Sequence, residues 1–578
     1  MSSAQWRTVL QTKDLPPGSK RAVRLAEGGA RVLLVHHEDG SLHAIDLRCP
    51  HEGYPLSDGY VDGDCVITCA WHNWKFDLRT GNAVLGGGEG VRRWPVRVDG
   101  RNIQVDAQQP SPADAVKAAG ASLLRALQDG RLGRALRDAG RMLKAGATPE
   151  DVLVLVARDD ARRAEWGSTH VLPLAMDCAT LAGRGVDLAA RLHAIAPALD
   201  LAVQRNVRLV ARPLPPGIPQ LVEEARAGVD LGRPLAAAVE AEDSGRAEAI
   251  VRAAFRADVP RAVVERWFVK VVGQHFTDFG HPIIYLAKLQ ELAVHMGGRL
   301  SRDAMEDLYA GLIVNHTLGT REDTLPYLRK YFDGPMITRA LPVGEAALDA
   351  NREEALGALQ CAWVTKGRRA TDIADALIGA AARRMWRFDS TLEHTHQIEE
   401  NWLTVTHRLT VAVAVRQLVD GLPDELALPL LRQVLAFVHS ARPVDAKRRR
   451  TREPYKRDDF SEKMMKTAIR SCMPSTPHLV ARWLAEGYGP DLPIREALVK
   501  LLADRYAWPI VRAHAIKTIL AAEQAWNLMD PKDPYRRMPL MAAFRFFVAP
   551  LKERSLHTQV HGAVRFLNEG KPPKRLTR

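Results

Sequence analysis

The sequence predicts a multidomain chain: a small antiparallel all-β domain over residues 1–108, then a large all-α domain over residues 109–578. Three observations carry this expectation. Up to about Asp106, short β-branched runs such as "ARVLLVHHEDGSLHAIDL" alternate with glycine turns, and Asp39-Gly40 is a hairpin signal. A proline-containing stretch, "AQQPSPADA", marks a linker at about residues 107–114. Beyond it, apolar residues recur at helical spacing in "ADAVKAAGASLLRALQ", "DVLVLVARDDARRAEW", "DAMEDLYAGLIVNH" and "LPLLRQVLAFVH", and strand signals nearly vanish after Gln109. A chain of 578 residues is also too long for one hydrophobic core.

Within the β part, "CPHEGYPLSDGYVDGDCVITCAWHNWKF" holds two thiol–imidazole pairs, Cys49/His51 and Cys69/His72. Two thiolates and two imidazoles could close a tetrahedral zinc site. The spacing argues otherwise, because a zinc finger groups its cysteines together and its histidines together, and here each box carries one of each. The pattern C-x-H-x17-C-x2-H resembles the Rieske family, in which two cysteines hold one iron of a [2Fe-2S] cluster and two histidines hold the other. "CPHEGYPL" and "CAWHNWKFDLRTG" are similar to the family's two loops, and "RRWPVRVDGRNIQV" to its closing hairpin. The resemblance implies that Cys49, His51, Cys69 and His72 bind the cluster. Respiratory members add a disulfide and hydroxyls that donate to the cluster sulfurs, whereas Tyr54, Asn73 and Phe76 stand at those places here. Fewer donors imply a potential near the low end of the Rieske range, about −150 mV, suited to an oxygen-activating acceptor rather than to quinol oxidation.

Familiar ring-hydroxylating oxygenases follow such a domain with a sheet-and-helix catalytic half carrying D-x2-H-x4-H. That motif is missing from this sequence. The helical part offers histidines instead. "THVLPLAMDCATLA" (His170), "GHPIIYLAKLQELA" (His281) and "THRLTVAVAVRQLV" (His407) open alike, with Thr or Gly before His and then an apolar run with small residues. "AHAIKTILAAEQA" puts His514 and Lys517 on one helical face, and "HTQVHGAVRFLNE" offers His557 and His561. The repetition predicts helices that each present one histidine to a common centre. A lone histidine on an apolar helix is more often a hydrogen-bonded core residue, so the set outweighs any member. His316, His394 and His396 compete for the role, and His36, His37 and His43 are expected at the surface.

"THRLTVAVAVRQL" and "RAHAIKTILAAEQAW" are similar to helical segments of the questin-oxidase-like family, all-α oxygenases of aromatic polyketides. This resemblance implies a mononuclear non-haem iron held by His170, His281, His407 and His514, with Lys517 as a carboxylated fifth ligand. Ala513 replaces the glycine usual before the last histidine. Imidazoles suit iron, and bundle helices can converge on a core metal while leaving a position open. Carboxylation requires a neutral amine, hence a buried Lys517 with a depressed pKa. An ordinary Lys517 salt bridge is the alternative.

The net charge of +13 collects partly in "AKRRRTREPYKR" and the tail "KPPKRLTR", where Tyr455 is the only aromatic; solvated loops are expected, not a nucleic-acid platform. No apolar run reaches the ~20 residues of a membrane span. "MSSAQWRTVLQTKDL" lacks the pattern of a signal peptide, and Cys65, Cys178, Cys361 and Cys472 read as free buried thiols, so a reducing cytoplasm is expected. "GGGEGVRRW" lacks the G-K-[ST] ending of a phosphate loop. No flavin or nicotinamide fingerprint is evident, which implies a separate NAD(P)H-dependent reductase or ferredoxin as electron source. Three functions follow in order: a Rieske mono- or dioxygenase acting with O2 on a small organic, aromatic or polyketide-like substrate; a Rieske electron carrier fused to a helical scaffold without a second metal; and a divergent ring-hydroxylating subunit. The Rieske resemblance also allows a homo-oligomer in which one chain's cluster serves its neighbour.

Overall fold

The computed structural model describes residues 4–26, 29–85, 89–319, 341–395, 400–446, 460–503 and 505–551, with positions 560, 563, 564, 568 and 569. His396, His557, His561, residues 86–88 of the glycine-rich stretch, and residues 447–457 and 571–578 of the two basic runs lie outside them. A small antiparallel β unit followed by a large helical region is what the chain forms.

Among the described residues ten strands make three antiparallel sheets: β1 (Trp6–Gln11), β10 (Asn102–Asp106) and β9 (Val96–Asp99) in that order; β2 (Ser19–Arg24), β3 (Arg31–His36) and β4 (Leu42–Asp46); and β5 (Tyr60–Val61), β6 (Val66–Thr68), β7 (Lys75–Asp77) and β8 (Ala83–Leu85). The run "VLLV" in β3 is apolar on both faces because it divides two cores. Leu33 and Val35 join Ile45, Leu47, Leu56, Ile67 and Phe76 in the core that also buries Cys49 and Cys69. Val32 and Leu34 turn to the other face, against Trp94, Ile103 and Val105.

No strand follows Asp106 among the described residues, and the first helix, Pro112–Gln128, begins inside the stretch expected as linker. The compact units are residues 1–123 with 144–146, and the remainder of the chain. In the second unit four helices form a closed ring of neighbours. Val171–Ala182 packs on His281–His295, which packs on Trp402–Leu418, which packs on Pro509–Leu528, which returns to Val171–Ala182. All four are apolar around most of their circumference, as helices surrounded by others must be. No helix among the described residues is long and apolar enough to cross a membrane.

Candidate metal centres

The two boxes of the β unit fold into near-identical loops. The N–H of Cys49 donates to the carbonyl of Tyr54 at 2.8 Å, and the Cys49 carbonyl accepts from Gly53 N–H at 2.9 Å. Cys69 repeats this with Trp74 at 2.8 Å and Asn73 at 3.1 Å. Each loop turns through a left-handed residue four places after its cysteine, Gly53 at φ 78° and Asn73 at φ 56°, which explains glycine in one and asparagine in the other. The thiols are buried at the loop bases while His72 is exposed, and the His51 and His72 rings meet edge to face with centroids 4.6 Å apart. Trp74 stacks on His51 at 4.5 Å and Trp71 on His72 at 4.9 Å.

These residues fit the cluster. Nδ1 of His51 is buried without a hydrogen-bond partner. Burial and the neighbouring Cys69 push the Cys49 thiol up, so a pair of thiolates here requires cationic partners.

The helical unit brings His170, His281, His407 and His514 together, one ring nitrogen from each lying within 4.8 Å of the others. Two details differ from the sequence expectation. His407 does not open its helix. Asn401 caps it six residues earlier, its side chain accepting from Thr404 N–H at 3.1 Å and its own N–H donating to Thr404 Oγ1 at 3.1 Å. His514 likewise stands in the second turn of a helix that begins at Pro509.

That placement fixes two rings. Nδ1–H of His407 donates to the Leu403 carbonyl at 2.6 Å, and Nδ1–H of His514 donates to the Ile510 carbonyl at 2.7 Å. A carbonyl can only accept, so in each neutral ring Nε2 carries the lone pair. Nδ1 of His281 faces the Asp278 carboxylate at 2.7 Å, which selects the same tautomer. Nε2 of His407 and Nε2 of His281 then face one another at 2.8 Å as two acceptors. Nε2 of His170 is buried with no hydrogen-bond partner. A cation among the four nitrogens resolves both problems, and two opposite metal–nitrogen bonds of about 2.1 Å span about 4.2 Å, within the observed spread.

Burial pushes His170, His407 and His514 well below the ordinary imidazole value, the neighbouring rings and Lys517 adding to the effect. Neutral rings are what a metal needs. Nζ of Lys517 lies 3.4 Å from Nε2 of His407, and burial pushes its pKa down to about 7 against the opposing pull of Asp177 and Asp278. That direction favours the neutral amine.

The backbone before His281 is unusual: Asp278, Phe279 and Gly280 have φ of 43°, 55° and 83°. Three left-handed residues in a row bring the Asp278 carboxylate back onto the histidine ring. A Cβ on Gly280 would stand 2.6 Å from Val411 Cγ2 and 3.1 Å from the Phe276 ring, so only glycine closes this turn. Before His170, the buried Asp160 accepts from Thr169 N–H and Oγ1–H, both at 2.9 Å, and burial pushes its pKa up to about 7. Tyr285 is buried beside His170, its hydroxyl 3.4 Å from Nδ1; burial holds the phenol neutral. Two turns along their helices from His170 and His281, Asp177 and Lys288 form a buried ion pair at 2.9 Å.

Asp278, Asp160, Tyr285 and the Asp177–Lys288 pair went unpredicted. The i,i+7 spacing of His170 with Asp177 and of His281 with Lys288 was a usable signal; the reach of Asp278 was not, since it depends on a turn. Among the competing histidines, His316 is a core residue whose Nε2–H donates to the Val271 carbonyl at 3.1 Å, and His394 is exposed. The expectation that His37 and His43 are surface residues is corrected: both are buried, because the β3–β4 turn folds them against the 62–65 turn. A cavity of about 840 Å³ is lined by Leu181, His193, Leu498 and Glu523, and none of the four clustered histidines lines it.

The sequence signature of the Rieske [2Fe-2S] domain matches residues 5–92. Fold, paired loops and signature define the class: the chain belongs to the Rieske [2Fe-2S] family. Among curated relatives, it is 39% identical over 77 residues to the 4beta-methylsterol monooxygenase of Methylococcus capsulatus, covering 13% of this chain and 20% of that one. It is 39% identical over 97 residues to the ferredoxin component of the p-cumate 2,3-dioxygenase system of Pseudomonas putida, 16% of this chain and 80% of that one. The ferredoxin subunit of 3-phenylpropionate/cinnamic acid dioxygenase from Photorhabdus laumondii is 30% identical over 102 residues, 18% of this chain and 93% of that one. Each likeness covers less than a fifth of this chain, so these names speak for that stretch alone.

Proposed function

We propose that this chain is an oxygenase in which the Rieske cluster feeds electrons to a mononuclear non-haem iron held by His170, His281, His407 and His514. The observation that carries this reading is the approach of Nε2 of His407 and Nε2 of His281 to 2.8 Å, with Nδ1 of His407 bonded to the Leu403 carbonyl and Nδ1 of His281 lying 2.7 Å from the Asp278 carboxylate. Cys49, His51, Cys69 and His72 hold the cluster, which when bound supplies one-electron transfer. An iron ion at the four histidines, when bound, supplies oxygen activation for oxidation of an aromatic or polyketide-like substrate.

The chain's own groups divide the remaining work. Asp278 and the Leu403 and Ile510 carbonyls hold the proton of each ring on Nδ1, keeping Nε2 directed inward. Lys517, as a neutral buried amine, forms an N–C bond to carbon dioxide and loses one N–H proton to solvent, becoming a carbamate whose oxygens are anionic donors. Tyr285 keeps its hydroxyl proton, and its oxygen, 3.4 Å from His170 Nδ1, accepts a hydrogen bond from that nitrogen so that Nε2 keeps its lone pair. Reducing equivalents come from a separate NAD(P)H-dependent reductase or ferredoxin.

The relatives that are ferredoxin components favour a second reading, an electron carrier on a helical scaffold. Iron content and electron paramagnetic resonance of anaerobically purified protein separate the two. Three irons per chain, falling to two in His281→Ala/His407→Ala with the Rieske signal intact, is the expected result. Two irons in both proteins would sink the oxygenase.

A further inference from the structure

A second set of metal-ligating side chains lies in the β unit, independent of the reading above. It joins the β3–β4 hairpin to the turn before β6. His37 and His43 are 6% and 7% exposed and Cys65 is 1% exposed, while Asp39 at the hairpin tip is open to solvent. Cys65 is held at φ 64°, a conformation a non-glycine residue adopts only when its surroundings impose it. The surroundings here are backbone: Cys65 N–H donates to Asp62 at 3.2 Å, and its carbonyl accepts from Leu78 at 2.9 Å. That conformation delivers Sγ to 3.4 Å from Nε2 of His43 and 3.9 Å from Oγ of Ser41.

The ligand atoms of His37, Asp39 and Cys65 all lie within 4.8 Å of one another. Nδ1 of His37 is 3.0 Å from Oδ1 of Asp39, and its other nitrogen donates to the Asp62 carbonyl at 3.0 Å. A hydrogen bond from the far nitrogen to a carbonyl is the outer contact that metal-ligating imidazoles make. Ser41 holds the same carboxylate oxygen in place, its N–H and its Oγ–H both donating to Oδ1 of Asp39, at 2.8 Å and 2.5 Å. Around a tetrahedral zinc with a sulfur bond of about 2.3 Å and nitrogen or oxygen bonds of about 2.0–2.1 Å, adjacent donors stand about 3.3–3.5 Å apart. Nδ1 of His37 and Oδ1 of Asp39, 3.0 Å apart, lie a few tenths of an ångström inside that value.

We propose that His37, Asp39 and Cys65 bind a zinc ion that ties the hairpin tip to the 62–65 turn, with water in the fourth position; Nε2 of His43 stays hydrogen-bonded to Ser41 Oγ at 2.8 Å beside the site. One thiolate, one imidazole and one carboxylate suit zinc and not calcium or magnesium, which take oxygen ligands. The ion enters past the exposed Asp39, and the Cys65 thiol proton leaves to solvent as the sulfur coordinates. No electron is transferred.

The test uses the full chain in the His281→Ala/His407→Ala background, so that the four-histidine set cannot take the ion. The protein is exposed to zinc sulfate, dialysed, and examined by elemental analysis and zinc-edge X-ray absorption. About one zinc per chain with a sulfur neighbour at about 2.3 Å is expected. In Cys65→Ser the sulfur neighbour disappears and zinc affinity falls at least tenfold while the Rieske resonance persists. No retained zinc, or an unchanged sulfur neighbour in Cys65→Ser, overturns the proposal. If Cys65→Ser loses the Rieske resonance, the exposed Asp39→Asn variant decides: tenfold weaker zinc supports the site, and unchanged affinity overturns it.

Discussion

Cys49, His51, Cys69 and His72 lie on two loops of one small β unit, whereas His170, His281, His407, His514 and Lys517 come from four helices and the turns that lead into them. In the first, backbone hydrogen bonds within each loop set the side chains, and the edge of the site reaches solvent. In the second, no candidate ligand is near its partners in sequence except Lys517, so the ring of helices sets the geometry and every histidine depends on packing. A local site therefore tolerates change elsewhere in the chain, and a site assembled from distant helices does not.

The largest effect expected from this contrast is at Gly280. Its φ of 83° and the 2.6 Å approach to Val411 leave no room for a methyl group. Gly280→Ala should cost the helical unit about 2–4 kcal/mol, from left-handed strain and overpacking together. It should also abolish metal retention by the four histidines. Urea unfolding followed by far-ultraviolet circular dichroism reads the first, elemental analysis the second. The Rieske resonance should be untouched, and a parallel loss of both signals would break the distinction between the two regions.

Next comes Asp278→Asn. The amide cannot hold the His281 Nδ1 proton as the carboxylate does at 2.7 Å, so metal affinity at the four histidines should fall about 10–100-fold. Melting of the metal-free protein should barely move, because Asp278 is half-exposed. Competition with a metal-chelating dye measures the first, and calorimetry of the metal-free form the second. Equal losses in both would reduce Asp278 to a structural turn residue.

The two regions were unequally legible. The cluster loops were readable because their chemistry is contiguous: the C-x-H and C-x2-H spacings sit inside hairpins whose turns the sequence also announces. The all-α character of the rest followed from apolar periodicity, His170, His281 and His407 from similar helix openings, and His514 from the helical face it shares with Lys517. Asn401 overrode that cue at His407, moving the helix start by more than a turn without removing the histidine from the centre. Asp278 and Gly280 were opaque because three successive left-handed residues are a tertiary outcome. His37 and His43 were misjudged as surface residues because burial of a hairpin tip depends on a turn some twenty-five residues away, as in the His37–Asp62 contact.

A smaller effect should appear at Asp160, through pH. Its carboxyl is buried, with a pKa of about 7 against an ordinary 3.8. Between about pH 4 and 7 the unfolded chain has released this proton while the folded chain retains it, so the folded state binds more protons and stability falls as pH rises through that window. Above pH 7 the penalty is complete and constant. Asp160→Asn removes the titration and keeps an acceptor for Thr169. Relative to the native chain, the variant should gain on the order of 1–3 kcal/mol between pH 5 and pH 8 in urea unfolding. A difference independent of pH would mean that Asp160 is solvated in solution and does not hold the turn before His170 as a buried group.

The smallest effect sharpens the comparison from the other side. If the cluster loops are set by backbone alone, Asn73 is present for its left-handed φ of 56°, as Gly53 is for its φ of 78° in the matching loop. Asn73→Gly then preserves the conformation, since glycine enters this region without strain, and stability should change by no more than about 0.5 kcal/mol. The resonance and the potential should stay in place. Asn73→Val, which resists that conformation, should cost about 1–2 kcal/mol in the β unit. Protein-film voltammetry distinguishes this from a chemical role. A potential that moves in Asn73→Gly while stability holds would mean that the Asn73 amide donates to the cluster where other Rieske proteins use a hydroxyl, and the loop would then owe its residue to electronics instead of geometry.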